Sequence, residues 1–224
     1  MFLGNAFVSN VLRDNRRSDL DSRLAAILFF AEKLTLFPEA VTAEDITILQ
    51  SEGLSESAIS EGIMVVALFS LITRVADALH FDTPSDLSTG ADLLRRFGYF
   101  GMASPWSLFT SDPAISRAFE SRDTTGNLSD SMMRWLESVA SLGSVARVSA
   151  PVAAGSLVDK VMCNPDDVSE RDVAELKSHS ITEEMVFDLI LSAAASASLM
   201  RMRSGYDALR PPIRKSMMVA SAAN

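Results

Sequence analysis

The stretch FAEKLTLFPEAVTAEDITILQSEGLSESAISEGIMVVALFSLITR, residues 30–74, recurs without a gap as LVDKVMCNPDDVSERDVAELKSHSITEEMVFDLILSAAASASLMR, residues 157–201. Every residue of the first stretch pairs with the residue 127 positions later, and the identical pairs include Lys33/Lys160, Pro38/Pro165, Val41/Val168, Asp45/Asp172, Leu49/Leu176, Ser51/Ser178, Glu56/Glu183 and Arg74/Arg201. Because self-similarity at one fixed offset is typical of repeated structural units, the sequence predicts an internal duplication. We expect a first helical repeat over residues 1–80, an aromatic-rich insert over 81–127 and a second helical repeat with a C-terminal tail over 128–224, in one compact domain.

Both copies carry the same signals for helices. Apolar residues at helical spacing predict a helix over about 20–36, which ends before Pro38 because the residue before a proline disfavours the helical conformation. The patterns Thr42-x-x-Asp45 and Ser169-x-x-Asp172 are typical of helix N-termini. Glycine (10) and proline (8) are sparse, which also favours helices over a multi-turn β-fold. The predicted fold class is therefore all-α.

Two long apolar segments are predicted to form the central helices, at about 56–80 and 183–204. Ser55 and Thr182 are their expected N-caps, and Gly53 is expected to end the preceding short helix in a left-handed conformation. Because both segments are apolar nearly all round, we expect burial on every side. Their charge-free runs are twelve residues each, whereas a membrane span needs about 20. We therefore expect no membrane span and a cytoplasmic protein.

Composition excludes several classes of function. The chain has 224 residues and a formal net charge of −9, which argues against a nucleic-acid partner. Its single cysteine, Cys163, rules out an internal disulfide and a cysteine-rich zinc site, and we expect Cys163 to be a small core residue. His179 is expected at the surface. No nucleotide-binding, zinc-hydrolase or calcium-loop motif is present, so the sequence predicts no metal and no cofactor.

The insert at 81–127 differs from the two repeats. It concentrates prolines, glycines and aromatic residues, and its sequence predicts a short helix over 86–97 followed by an aromatic loop. Such a loop can form a lid over a pocket or a small satellite core, and both interpretations stay open.

Residues 23–80 resemble the alkylhydroperoxidase D-like superfamily, which includes the carboxymuconolactone decarboxylases, and most of all its peroxidase-related branch. Four patterns carry the resemblance: A-x-K-L-T-x-x-P at 31–38, V-T-x-x-D at 41–45, G-L-S-x-x-x-I at 53–59 and F-x-x-x-x-R-x-A-D-A-L at 69–79. The resemblance implies an all-α bundle built from repeated helical units. Since members of this superfamily are usually oligomeric, it also implies a homo-oligomer, a dimer or trimer.

The same resemblance argues against peroxide reduction. Peroxidases of the family carry C-x-x-C-x-x-x-H with an upstream glutamate, and the natural register places these positions on Thr73, Ala76, His80 and Glu61. In the second repeat they fall on Met200, Arg203, Asp207 and Asp188. Neither copy has a cysteine there, and thiolate chemistry needs one. We therefore predict that the protein is not a thiol peroxidase.

Glu61 and His80 are the candidate catalytic residues. Glu61 lies early in an apolar run, where a buried carboxylate has a raised pKa and can act as an acid or base. His80 ends the long helix, where a histidine serves either the helix dipole or catalysis. The two are 19 residues apart, so they meet only if the helix breaks near Gly62 or if two copies or subunits bring them together.

Arg74 and Arg201 are the candidate substrate-binding residues, together with Thr73 and Asp77. Arg74 and Asp77 are three residues apart, a spacing at which an ordinary surface ion pair forms. Because Arg74 recurs as Arg201, an inward-facing arginine that clamps a substrate carboxylate is the functional interpretation.

Two functions remain. The first is a cofactor-free lyase- or isomerase-type enzyme acting on an anionic small-molecule substrate. It would use acid–base chemistry such as decarboxylation, isomerisation, cyclisation or elimination on a carbonyl or carboxylate compound. The second is a pseudoenzyme that acts as a helical oligomeric scaffold or binding partner. A closed, polar-lined cavity beside Arg74 or Arg201 would favour the enzyme, and a solid core there would favour the scaffold.

Overall fold

The structure, a computed structural model, describes residues 20–81 and 127–210, with the backbone alone at 127 and 128. These residues form helices and no β-strand, which confirms the all-α class. The helices are α1 (Ser22–Leu36), α2 (Ala43–Ser51), α3 (Glu56–Ala78), α4 (Asn127–Ala140), α5 (Ser144–Ser149), α6 (Pro151–Cys163), α7 (Glu170–Ser178) and α8 (Glu183–Leu209), with 3-10 turns at Pro38–Ala40 and Pro165–Asp167. The helix and aromatic loop expected in the insert lie outside the described residues.

The chain divides into two compact units. Unit 1 comprises Met1–Ala67 and Met200–Asn224, and unit 2 comprises Leu68–Leu199. The division falls inside α3 and inside α8. Each unit therefore contains part of both long helices.

Helix boundaries recur at the 127-residue offset. The helices α1 and α6 end at Leu36 and Cys163, and α2 and α7 span Ala43–Ser51 and Glu170–Ser178. Capping boxes open α2 and α7, from Thr42 with Asp45 and from Ser169 with Asp172, because each aspartate accepts the backbone N–H of its N-cap. The predicted caps are thus confirmed. Ser55 and Thr182 also accept backbone N–H groups, from Ala58 at 3.2 Å and Met185 at 3.3 Å.

The short helices α2 and α7 end in the same way. At Gly53 (φ 83°) and Ser180 (φ 63°) the chain enters the left-handed region. The next residue then donates its N–H back into the helix, Leu54 to the Leu49 carbonyl at 3.1 Å and Ile181 to the Leu176 carbonyl at 3.3 Å. This is a Schellman arrangement, and it satisfies carbonyls that the helix leaves without a partner. The left-handed stop predicted at Gly53 is confirmed, and Ser180 adopts the same conformation at greater conformational cost.

Each unit has its own apolar core. The fully buried large side chains of unit 1 are Leu34, Leu49, Ile59, Ile63 and Met202. Those of unit 2 are Leu136, Leu157, Val161, Leu176, Leu189 and Ile190. The expectation of burial all round the long helices is wrong, because the side chains of Val65 and Phe69 on α3 are 54% and 59% exposed.

The long helices are longer than their charge-free runs. At 23 and 27 residues, with windows of mean hydropathy 1.7 and 1.4, α3 and α8 are long and apolar enough to cross a membrane. The length of the charge-free runs therefore does not decide whether the whole helices can cross a membrane. In α3 and α8, 50% and 67% of these apolar windows are buried inside the structure. The core helix of a soluble protein also passes this test of length and composition. A cytoplasmic location stays a prediction.

A lysine links each capping aspartate to the preceding helix. The Lys33 ammonium is 2.7 Å from Asp45, and the Lys160 ammonium is 2.6 Å from Asp172. Burial raises the pKa of both carboxyl groups, but the hydrogen bonds from the lysines and the cap residues outweigh it, so both pKa values lie below the usual value of 3.8. The two ion pairs join α1 to α2 and α6 to α7.

We expect these two carboxylates to make the free energy of unfolding depend on pH. A lowered folded-state pKa stabilises the fold fully above the unfolded value near 3.8, and this contribution is lost as the pH falls through the folded pKa. The variant Asp45→Asn/Asp172→Asn should lose about 1 kcal/mol per site at pH 7, the scale of a lost cap. Denaturant unfolding at pH 7 and pH 3 measures this. The parent should lose more stability than the variant between the two, and equal losses would contradict the assignment.

Candidate functional site

Arg201 is buried in unit 1 and binds the end of a helix. Its side chain is 5% exposed. Nε and Nη2 donate to the Thr35 carbonyl oxygen at 3.1 and 2.7 Å. Thr35 lies one residue before the end of α1, where carbonyl groups have no partner within the helix and a cation is favoured. Arg201 therefore caps α1.

Arg74 makes the corresponding contact in unit 2. Nε and Nη2 donate to the Met162 carbonyl at 3.3 and 3.2 Å, and Nη1 donates to the Ser70 hydroxyl at 2.9 Å. Met162 is one residue before the end of α6 and is Thr35 plus 127. Burial lowers the pKa of Arg74, and its electrostatic interactions with Cys163 and Asp77 offset this in part. The group nevertheless stays ionised because an arginine titrates far above neutral pH.

Both arginines thus use two donors on helix-end carbonyls. These contacts differ from the surface ion pair with Asp77 and from the substrate clamp that the sequence suggests for Arg74, and binding of a substrate by either arginine stays a prediction. The sequence shows that an arginine recurs, but its partner lies 88 residues away for Arg74 and 166 for Arg201. No local pattern reports such a contact.

The other predicted residues do not gather around the arginines. Glu61 is exposed, with Ser57 Oγ at 3.5 Å, so its expected burial is wrong. Thr73 is also exposed, and its hydroxyl donates to the Phe69 carbonyl of its own helix at 2.8 Å. Asp77 is half-buried. The helix α3 continues through Gly62 without a break, and it carries Glu61 in unit 1 while His80 belongs to unit 2.

His80 lies two residues after the end of α3, and its side chain contacts Val168 of unit 2. Its backbone has φ 49°, and the following N–H, from Phe81, donates to the Ala76 carbonyl at 2.9 Å in a third Schellman arrangement. The ring Nε2 lies 2.7 Å from the Val168 carbonyl. Because a carbonyl only accepts, Nε2 carries the proton and Nδ1 of the neutral ring is left as the acceptor.

A groove of about 470 Å³ lies beside His80 in unit 2. We call it the His80 groove. Its apolar lining comprises Ala78, Leu79, Val168, Val173, Ala174, Val186, Phe187 and Ile190. His80, Ser169, Glu170, Lys177 and Glu183 supply its polar atoms. Sequence reasoning singles out His80 alone among these residues, because the groove arises where separate helices meet.

The polar rim of the groove carries an ion pair. The Lys177 ammonium is 2.5 Å from the Glu183 carboxylate, and its hydrogen bond holds the pKa of Glu183 below the usual value. The Glu183 side chain is 82% exposed. An exposed pair of this kind contributes little to stability, so Glu183 can exchange partners.

Cys163 is exposed, so the expectation of a core cysteine is wrong. It ends α6, and Leu36 at the matching end of α1 is also exposed. His179 is exposed, as expected. Among the described residues, no group of three or more histidine, cysteine, aspartate or glutamate side chains is placed to hold a metal ion.

No family model, no curated protein and no solved structure matches the chain.

Proposed function

We propose that this chain is a non-catalytic helical binding protein, a pseudoenzyme of the alkylhydroperoxidase D-like type. The observation that carries the proposal is the use of both recurring arginines as helix caps. Each donates Nε and Nη2 to a main-chain carbonyl, so the two residues expected to hold a substrate anion support the fold. A binding role leaves the His80 groove as the recognition site.

We also propose that the two halves arose by duplication. Arg74 and Arg201 occupy equivalent positions of the two repeats, 127 residues apart, and so do Thr35 and Met162. The Arg74–Met162 and Arg201–Thr35 contacts therefore join the same two positions of the repeat. The Lys33–Asp45 and Lys160–Asp172 pairs recur in the same way. Recurrence of non-adjacent contacts supports duplication more strongly than recurrence of helices alone.

The likeness to the alkylhydroperoxidase D-like superfamily rests on residues 23–80. Thr73, Ala76 and His80 then occupy the positions of the redox motif, and only His80 keeps the residue type of the family. A protein that has lost both thiols retains the helical framework as a binding surface. The exposed apolar side chains of Leu36, Phe37 and Val65 support the homo-oligomer that the resemblance implies, and sedimentation velocity measures it.

The cofactor-free enzyme is the second candidate, and the position of His80 favours it. The Val168 carbonyl holds Nε2 and fixes the ring, as an orienting partner does for a general base. The ring lines an apolar groove where a small carbonyl or carboxylate compound can bind.

Turnover assays with small oxo acids and phenolic acids separate the two candidates. We expect no turnover above the buffer rate by the parent or by His80→Gln. Loss of a measurable rate in His80→Gln, with the fold intact by circular dichroism, would establish the enzyme and overturn the binding protein. Thermal-shift measurements with the same acids should show no stabilisation that depends on Arg74, because its donors are already engaged.

A further inference from the structure

The last turns of α8 fill a site in unit 1 that corresponds to the His80 groove. The Tyr206 hydroxyl oxygen is 2.6 Å from the Ser60 hydroxyl oxygen, and Arg210 Nε donates to Glu56 at 3.0 Å. Gly205 lies so close to Ile63 that a Cβ there would be 2.8 Å from its side chain. This end of α8 thus places an aromatic residue and, four positions later, an arginine against α3.

The same positions in unit 2 line the His80 groove. Adding 127 to Glu56, Ser60 and Ile63 gives Glu183, Phe187 and Ile190, and all three belong to the groove lining. Two of the three pairs are identical residues, and the third replaces a serine with a phenylalanine. The receiving surface is therefore present in both units.

The two long helices end at different positions of the repeat, so different residues lie against this surface in the two units. The helix α8 continues to Leu209, whereas α3 stops at Ala78, which corresponds to Gly205. Leu79 then stands at the position of Tyr206, and His80 turns the backbone at φ 49° and is tied to the Val168 carbonyl. The helix α3 thus ends before position 83, which corresponds to Arg210 and lies outside the described residues.

We propose that the His80 groove binds a helical segment of a partner protein that presents an aromatic residue and, four positions later, an arginine. This inference rests on the proposed binding function and names the partner. An amphipathic helix in an apolar groove is a common mode of recognition between proteins. Phe187, 45% exposed, supplies the surface for the aromatic ring. Glu183 supplies the carboxylate. The guanidinium of the partner's arginine can pair with it in a bidentate geometry, which the Lys177 ammonium cannot.

Charge favours such a partner. Glu170 and Glu183 lie on the rim of the groove, and the chain as a whole carries a net charge of −9. An approaching basic helix is therefore attracted before contact. Arg210 makes this pairing with Glu56 in unit 1.

A peptide that copies the end of α8 tests the proposal. The probe is ASLMRMRSGYDALR (residues 197–210), labelled with a fluorophore and titrated with the full chain by fluorescence anisotropy. We expect saturable binding that Glu183→Lys weakens at least about tenfold, the scale of a lost interfacial charge pair. Phe187→Ala, which removes the apolar surface for the aromatic ring, should also weaken it. Glu184→Lys is the matched control, since this exposed neighbour does not line the groove and should change the affinity less than about twofold.

A charge exchange makes the test specific. A peptide with Arg210→Glu should bind the parent weakly and should recover affinity for the Glu183→Lys chain. Equal weakening by Glu183→Lys and Glu184→Lys would reveal non-specific charge attraction and overturn the proposal. Failure of the peptide to bind, with dodecanoate bound in a Phe187-dependent manner, would make the groove a small-molecule site and overturn it too. These outcomes differ from failure of the proposed function, which a His80-dependent turnover would show.

Discussion

Replacing Arg201 with alanine is expected to lower the free energy of unfolding by about 3 kcal/mol, the scale on which loss of a buried charged hydrogen-bonding group destabilises a protein. The Arg201 side chain is 5% exposed, and two of its donors bind the Thr35 carbonyl. Truncation leaves this carbonyl at the end of α1 without its charged donor and opens a void in unit 1. Arg201→Lys should recover only part of the loss, because an ammonium cannot donate in the same fork.

Chemical denaturation of a graded set of arginine variants measures this effect. Arg74→Ala should lower the free energy of unfolding by about half as much, since truncation of a half-buried group removes fewer buried contacts. Arg171→Ala, on the exposed side of α7, should change it by less than about 0.5 kcal/mol. The order Arg201, Arg74, Arg171 is the decisive observation. A loss for Arg201→Ala no larger than that for Arg171→Ala would contradict the capping role.

Replacing Gly143 with alanine is expected to destabilise the protein by about 2 kcal/mol, as overpacking of a tight site does. A Cβ at Gly143 would lie 2.9 Å from the Leu189 Cα, a backbone atom of α8 that cannot move away alone. Gly143 is also the N-cap of α5, a position at which alanine is a poor substitute. The expected result is a lower midpoint of denaturant unfolding.

Gly155 provides the matched control. It lies within α6, and no side chain or neighbouring helix of the described residues comes within 4 Å of the place that a Cβ would occupy, so an added methyl group makes no close contact with them. Alanine there should stabilise the protein by about 0.5–1 kcal/mol, because glycine is a poor helix former. Opposite signs for the two substitutions are expected, and destabilisation of similar size at both sites would mean that close approach at Gly143 is not the cause.

Local rules predict the helix boundaries well. Pro38 and Pro165 each follow a helix end, and Thr42 and Ser169 open the next helices as their capping patterns indicate. These outcomes depend on interactions within about four residues of the chain, which sequence patterns report directly.

Burial and contact partners are predicted less well. The sequence pattern places Glu61 and Cys163 in the interior, and both are exposed. A helix that is apolar on most sides does not show which side its neighbours cover, since that depends on helices distant in the chain. The groove escapes sequence reasoning for a related cause, because it forms where the end of α3 meets α7 and α8, which are distant from α3 in the chain.

The division of the chain into units has a consequence for biosynthesis. Unit 2 is one continuous run, Leu68–Leu199, whereas unit 1 joins the residues before it to those that begin at Met200. A ribosome releases the chain from its N-terminus, so domains usually fold in the order in which they emerge. Here α1 and α2 must wait, since the residues that complete their core, Arg201, Met202 and Tyr206, are translated after all of unit 2. The apolar faces of α1 and α2 that pack on these residues therefore stay uncovered by them until unit 2 has been synthesised.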